Sequence, residues 1–360
     1  MPKIFAFIYP DIIKNKEVVF RTEGLILSLE PIMDIYKISQ INVDKMKQYQ
    51  IVLLDYRLRP QKINKEKKNL ASFYKILKHA QKICLILIDY HETTFDRSLL
   101  NEFRKKETNI PGTTPGKGCQ FLSEKTKEYN IKHFLVYYNC KELNNIVTAC
   151  PHLEKVYVLP FHMNMDIYND YDLPKIYDIL IFGRTDKEIY PLRFRLKELL
   201  LANQHKFKIK YIPRNPPILG IELAKIINQS WLSLSTKSNF DYLVRKYFEI
   251  SACKSVVFGN MPDQGRAIWG NNFIEIKDDM TDEQILYTLE KYLNKKEKLV
   301  TYINNMGKII QEEYNSQKYA SKILNIFHDI LHPSSEEIVV DYQKDLQKTP
   351  LQIAVYLKFF

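Results

Sequence analysis

No stretch of this 360-residue chain approaches the roughly 18–20 consecutive apolar residues that cross a bilayer as a helix, so no transmembrane segment is expected. The opening Met1-Pro2-Lys3-Ile4-Phe5-Ala6-Phe7-Ile8 is too short for a secretory signal and lacks a small-residue cleavage site. It reads as a first core strand. Cysteine is scarce, five in an odd set (Cys84, Cys119, Cys140, Cys150, Cys253) with no Cys-x-x-Cys pair. Cys84 and Cys253 sit in apolar stretches, as small core residues in a reducing, cytoplasmic compartment would. No His/Cys/Asp/Glu cluster has zinc spacing, and no Gly-x-Ser-x-Gly elbow occurs. Gly112-Thr-Thr-Pro-Gly116-Lys117-Gly118 fails as a phosphate loop: its spacing is wrong, no Ser or Thr follows the lysine, and no strand precedes it.

What is present is a basic, apolar-rich chain of two-domain length. Hydrophobic residues make up 45%, enough for two cores, and 53 Lys plus Arg face 42 Asp plus Glu for a formal charge of +11. That balance favours an anionic partner: a nucleotide, a phosphorylated acceptor, a nucleic acid or a membrane surface. It also follows from the Lys-, Asn-, Ile- and Tyr-rich usage of an AT-rich genome, so charge alone leaves the partner open.

Short apolar strands alternate with amphipathic helical stretches, the pattern of parallel sheets covered by helices. Strands are expected at Lys3–Tyr9, Asp34–Ser39, Gln50–Asp55, Lys82–Asp89, Lys132–Tyr138 and Lys155–Pro160, with helices over Thr22–Glu30 and Asn69–Gln81. A second unit opens with the strand Ile176–Arg184. It continues through helix Leu192–Asn203, strand Lys206–Ile212, helix Ile221–Gln229, strand Trp231–Ser235 and helix Asp241–Cys253. Strands Ser255–Gly259 and Asn272–Ile276 and helices Asp282–Asn294 and Lys296–Tyr314 complete it. The expected division is residues 1–168, 169–328 and a C-terminal extension 329–360 that folds back on the first domain or remains a partly ordered tail. Glu107–Asn130, with three glycines and two prolines, reads as a mobile loop.

One stretch carries more chemistry than the rest: Trp231-Leu-Ser-Leu-Ser-Thr-Lys-Ser-Asn-Phe-Asp-Tyr-Leu-Val-Arg-Lys-Tyr-Phe-Glu249. A strand ends in the hydroxyl-rich turn Ser233–Ser238 and leads to a helix bearing Arg245, Lys246 and Glu249. The unpaired amides and positive dipole of a helix N-terminus suit an anion. Lys246 and Glu249, three apart, share a helix face. The cation could meet phosphate and the carboxylate could accept from ribose hydroxyls, or the two could form an ordinary surface ion pair.

Three blocks in order resemble the GT-B glycosyltransferases of the "glycosyl transferases group 1" type. Leu159–Tyr168 is similar to their crossing between domains. Tyr177–Arg195, with Gly183-Arg184 and Tyr190-Pro191-Leu192-Arg193, is similar to the opening of their donor domain. Phe240–Gly259 is similar to their Arg-Lys-x-Phe-Glu signature. The resemblance implies an α/β fold of two Rossmann-like domains facing across a cleft, and transfer of a sugar from a nucleotide-sugar donor to a glycan or other acceptor. It implies Glu249 as the ribose-binding carboxylate closing the family's Glu-x7-Glu motif. The first acid of that motif falls on Asp241, so the pair reads Asp-x7-Glu here. It implies Arg184, Arg245 and Lys246 on the diphosphate, with the Gly183 turn and the Ser235–Thr236 turn beside them. The family's glycine after Ala-Cys is Lys254 in this chain.

In this reading cations and backbone amides stabilise the leaving diphosphate without a metal cofactor. Asp170-Tyr171-Asp172, an Asp-x-Asp as some metal-dependent transferases use, precedes a strand and reads as a solvated linker. An inverting reaction needs a general base from the first domain. His91 and Glu92 are the candidates, since they follow the strand Lys82–Asp89 at the edge where open α/β sheets bind ligands. Acceptor recognition is expected around Asp89–Arg97 and the loop Glu107–Asn130. Two rivals stand beside this reading: a DNA-modifying glucosyltransferase, whose partner is nucleic acid, and a non-catalytic relative.

Overall fold

Runs such as Ile51-Val-Leu-Leu-Asp and Ile83-Cys-Leu-Ile-Leu are apolar at nearly every position, which suits a parallel strand covered on both faces. The computed structural model describes residues 3–10, 16–55, 74–87, 117–140 and 142–333. In its first sheet β1 (Phe5–Tyr9), β2 (Asp34–Lys37), β3 (Ile51–Asp55), β4 (Ile83–Leu87), β5 (His133–Val136) and β6 (Lys155–Val158) are all parallel. Their order is β2-β1-β3-β4-β5-β6. The accompanying helices include α1 (Lys16–Leu29), α2 (Val43–Met46), α3 (Lys117–Glu128) and α4 (Glu142–Ala149).

The second sheet holds β7 (Tyr177–Phe182), β8 (Ile209–Ile212), β9 (Ser230–Leu234), β10 (Val256–Gly259) and β11 (Ile274–Glu275) in the order β11-β10-β9-β7-β8, again parallel. Around it lie α5 (Pro191–Ala202), α6 (Gly220–Asn228), α7 (Lys246–Ala252), α8 (Asp263–Trp269), α9 (Asp282–Leu293) and α10 (Lys296–Glu313). Ile179, Ile181, Leu232, Leu234, Val256 and Phe258 from the strands pack with Leu196, Ile285 and Leu289 from the helices. Each such side chain contributes about 1.5–3 kcal/mol by leaving water.

The described residues up to 160 and from 317 form one compact unit, and residues 161–316 form the other. The sequence suggested crossings at 168/169 and 328/329; local bonding explains the shift. Phe161 packs edge-on against Phe248 with ring centroids 6.3 Å apart, and the Met163 amide donates to the Tyr314 carbonyl at 2.7 Å. At the other crossing α11 (Ser316–Leu331) buries Tyr319, Ile323, Ile326, Phe327 and Ile330 at helical spacing. Its Phe327 ring lies 4.7 Å from Phe5. Lys82 Nζ donates to the Ile330 carbonyl at 2.9 Å, and Asp329 accepts from Lys155 Nζ at 2.8 Å and from the Tyr157 hydroxyl at 2.6 Å.

Two sequence expectations are corrected. Lys117–Glu128, read as part of a mobile loop, is helix α3: glycine there occupies only the first turn, and Leu122 and Thr126 bury one face. The helix expected over Asp241–Cys253 begins at Lys246. Asp241 has a left-handed φ of 55°, and the Ser238 hydroxyl accepts from the Phe240 amide at 3.2 Å, a local turn that competes with helix. Helices α8 and α11 were not anticipated.

Candidate functional site

After β7 the chain goes to β8 on one flank, then returns to place β9 on the other, so strand order reverses between β7 and β9. Ligands of open α/β sheets bind outside the carboxyl ends of the strands at such a switch point. Here the two loops concerned are Gly183–Tyr190 and Ser235–Arg245. They hold most of the residues that the sequence nominated.

The first loop begins at Gly183, whose φ of +75° favours glycine. A Cβ there would stand 3.1 Å from Lys246 Nζ, so the turn and the lysine are in direct apposition. Lys246 Nζ donates to the Phe182 carbonyl and lies 4.3 Å from the centre of the Phe182 ring. Arg184 is exposed and paired with Asp186.

The second loop leaves β9 through Ser235 and Thr236, both fully buried. The Ser235 amide donates to the Phe258 carbonyl at 3.1 Å, and a Cβ on Gly259 would fall 2.0 Å from the Ser235 carbonyl oxygen. Only glycine permits that approach between the ends of β9 and β10. The Thr236 hydroxyl is buried without a hydrogen-bond partner among the described residues. Lys237 pairs with Asp241 at 2.9 Å. Burial works to lower the Lys237 pKa, but the Asp241 hydrogen bond and charge, with Asp278 and Asp263 adding, hold it above the ordinary lysine value. Asn260 follows β10, accepts from the Lys237 amide at 3.0 Å and reaches Asp278 at 3.3 Å. The edge thus carries several cations with carboxylates around them.

Other nominated residues are placed differently from expectation. Glu249 faces Arg245, whose Nε donates to it at 3.1 Å in a buried i,i+4 pair, so Arg245 rather than Lys246 is its partner. Arg245 also lies 5.7 Å from the centre of the Tyr168 ring. Because α7 starts at Lys246, the Ser235–Ser238 turn does not cap it, and residues 239–245 intervene. His91 and Glu92 lie outside the described residues, as do Asp89–Arg97 and residues 107–116. Asp170 accepts from the Asp172 amide at 3.0 Å and from Asn228 Nδ2 at 3.1 Å. These contacts place the Asp-x-Asp beside the C-terminus of α6, at the amino edge of the sheet and away from the switch point. Among the described residues no group of three or more His, Cys, Asp or Glu side chains is disposed to hold a metal ion.

One residue was not nominated. Arg193, in the first turn of α5, is buried and donates to the Arg184 carbonyl at 3.0 Å and the Thr236 carbonyl at 2.5 Å. Its guanidinium lies 3.9 Å from the centre of the Tyr190 ring, and burial lowers its pKa. With Asn239, which donates to the Glu188 and Ile189 carbonyls, it joins the two loops. The signal in the sequence was its place in the Tyr190-Pro191-Leu192-Arg193 block, which closes on a buried arginine.

No family model and no curated protein matches this sequence. Solved structures do. Sucrose-phosphate synthase from Thermosynechococcus elongatus superposes with a TM-score of 0.54 at 9% identity, covering 92% of this chain and 100% of that one. HepE from Anabaena, solved with UDP and glucose, gives 0.54 at 9% identity over 90% of this chain and 99% of its own. An α-glucosyltransferase solved with UDP-glucose and DNA containing an abasic site gives 0.54 at 9% identity over 89% and 98%. Two parallel α/β sheets, matched over nearly the whole length of these structures, give this chain the two-domain GT-B architecture.

Proposed function

We propose that the chain is a glycosyltransferase that binds a nucleotide-sugar donor at the carboxyl edge of its second sheet. The observation that carries this reading is the coincidence of the β7/β9 switch point with Gly183, Arg184, Ser235, Thr236 and Lys246, the residues that the family resemblance assigns to the donor. Cations fixed there by the fold stabilise charge on a departing diphosphate without a metal, because they are held in place before the charge develops. Arg184 and Lys246 serve that role, and Glu249 accepts from the ribose. Asp241, held by Lys237, stands at the donor-sugar side. Anabaena HepE by its bound UDP and glucose, and the α-glucosyltransferase by its bound UDP-glucose, support a donor of this class. The acceptor, a glycan or another hydroxyl-bearing molecule, belongs to the first unit, with His91 or Glu92 as general base where the outcome is inverting. The cytoplasm is the expected compartment, and Cys84, Cys140, Cys150 and Cys253 are free buried thiols.

A panel of nucleotide sugars scored for thermal stabilisation and donor hydrolysis tests this. A matched nucleotide at a hundredfold excess over its Kd should stabilise by about 2.7 kcal/mol. No stabilisation by any nucleotide would leave a non-catalytic relative. Donor hydrolysis should persist in EDTA; loss on chelation, restored by manganese, would make the reaction metal-dependent.

A nucleic acid acceptor is the second reading. It is favoured by the formal charge of +11 and by the DNA bound to one structural neighbour. Transfer to duplex DNA, with affinity falling steeply as salt rises, would establish it.

A further inference from the structure

Arg193 occupies a position that electrostatics disfavours three times over. Its side chain is buried. It lies in the first turn of α5, where the helix dipole is positive and repels a cation. Among the described residues no carboxylate forms an ion pair with it, and its Nε has no hydrogen-bond partner. What holds it are two backbone carbonyls, Arg184 and Thr236, the face and side-chain hydrogen bond of Tyr190, and, short of an ion pair, the Asp186 charge. Carbonyl dipoles offset part of the cost of burying a charge, and Asp186, itself paired with Arg184, balances it only from beyond ion-pair distance. Lys237 and Arg245 of this edge each pair with an acid, Asp241 and Glu249, whereas Lys246 is held by the Phe182 carbonyl and ring.

We propose that Arg193 is a positioning residue that ties together the loops following β7 and β9 and adds its buried charge beneath the diphosphate of a ligand held over them. The inference rests on the donor-site reading and assigns that site a buried cation in addition to Arg184 and Lys246. Arg193 does not touch the ligand; it orients Arg184 and Thr236 through their carbonyls and supplies positive potential from below. A substituent that preserves packing but removes the charge should therefore lose the phosphate-dependent part of binding and spare the nucleoside part.

The test uses the full-length chain with three probes: inorganic pyrophosphate, UDP or GDP, and the corresponding nucleosides. Arg193→Met should weaken pyrophosphate and nucleoside diphosphate by about tenfold or more, the scale of a lost charged hydrogen-bond system, and leave nucleoside affinity unchanged. Arg193→Lys, which keeps the charge, should stay closer to wild type for pyrophosphate than the Met variant does. Where Arg193→Met does not fold, hydrogen exchange on the wild-type chain decides instead: pyrophosphate should slow exchange at residues 183–186 and 235–241. A Met variant that binds pyrophosphate like wild type, or one that loses nucleoside and diphosphate in step, overturns the proposal. So does unaltered exchange, or a wild type with no affinity for pyrophosphate. A wild type that binds pyrophosphate but no nucleoside diphosphate would sink the donor reading while keeping Arg193 as the anion determinant.

Discussion

The amino and carboxyl edges of the second sheet each bury a cation against backbone carbonyls, and they do so with opposite consequences. At the amino edge Lys175 Nζ donates to the carbonyls of Asn228 at 2.6 Å, Ser230 at 3.1 Å and Lys254. Asn228 turns to the Leu173 amide, Asp170 and the Cys253 carbonyl, and the Asp170 charge acts on Lys175. Burial pulls the Lys175 pKa down to about 8 against that charge. The three N–H groups of the ammonium have one carbonyl each, so the network is closed. At the carboxyl edge Arg193 has two carbonyls, an aromatic face and the Asp186 charge acting on it, but its Nε has no hydrogen-bond partner among the described residues. A closed network serves stability; by the donor-site reading, the carboxyl edge serves an anionic ligand. The first sheet repeats the amino-edge pattern, with Lys82 on the Ile330 carbonyl and Lys155 on Asp329.

If the amino edge is structural, its loss should be the largest effect and should leave ligand binding alone. Lys175→Ala orphans three carbonyls and removes one of two cations over Trp231, whose ring centre is 6.0 Å from Nζ. We expect a cost of about 3 kcal/mol in urea unfolding, with nucleotide affinity retained. Weakened nucleotide binding in a folded variant would break the division between edges.

The amino edge of the first sheet offers a pH test. His133 opens β5, and burial lowers its pKa from 6.5 to about 4 despite Glu154 nearby. Its folded pKa lies below its unfolded one, so the unfolded chain binds the proton more readily. Stability is therefore full above pH 6.5 and falls as pH drops toward 4. The shift sets a ceiling of about 3 kcal/mol on that loss. His133→Phe should flatten the fall between those pH values in thermal melts; an unchanged profile would assign acid lability elsewhere.

At the carboxyl edge Glu249 is the sharpest probe of function. Glu249→Gln keeps an oxygen for Arg245 Nε and removes the charge, which limits damage to the fold. Donor-nucleotide affinity should fall by about 1.5–3 kcal/mol by calorimetric titration, the range for hydrogen bonds to a charged group. Unchanged affinity would leave Glu249 as the buried partner of Arg245 and nothing more.

The strands were legible because parallel, doubly covered strands are apolar runs with few rivals, as in Ile179-Leu-Ile-Phe182. Gly183, Ser235 and Thr236 were legible because they follow such runs. Lys246 was legible from its motif, but its direction was not. At i and i+3 a surface pair with Glu249 looked sound, whereas the carbonyl of Phe182, which claims the lysine, is distant in sequence. Arg193 stood in a quoted block, but its role was hidden for the same reason: its partners Arg184 and Thr236 meet only when β7 and β9 pair. Helix α11 escaped because its apolar face is completed by Phe5 and its polar anchors by Lys82 and Lys155, at the opposite end of the chain.

Lys254 separates what the family pattern requires from what this chain tolerates. Group 1 sequences are expected to place glycine there, and the backbone agrees: φ is +58°, and α7 ends in paired bonds from Ser255 N to the Ile250 carbonyl and Lys254 N to the Ser251 carbonyl. That is the left-handed helix terminus glycine fills without strain. A lysine in the left-handed region costs about 1–2 kcal/mol. Glycine would relieve it but loses more chain entropy on folding, by about 0.4–1 kcal/mol. The lysine side chain also covers Gly307, where a Cβ would stand 3.0 Å from its Nζ, while its carbonyl serves Lys175 whatever the side chain. Lys254→Gly should therefore be mildly stabilising, by about 0.5–1 kcal/mol in urea unfolding, and silent in nucleotide binding. A clear loss of stability would mean that the lysine's cover over Gly307 outweighs its backbone strain.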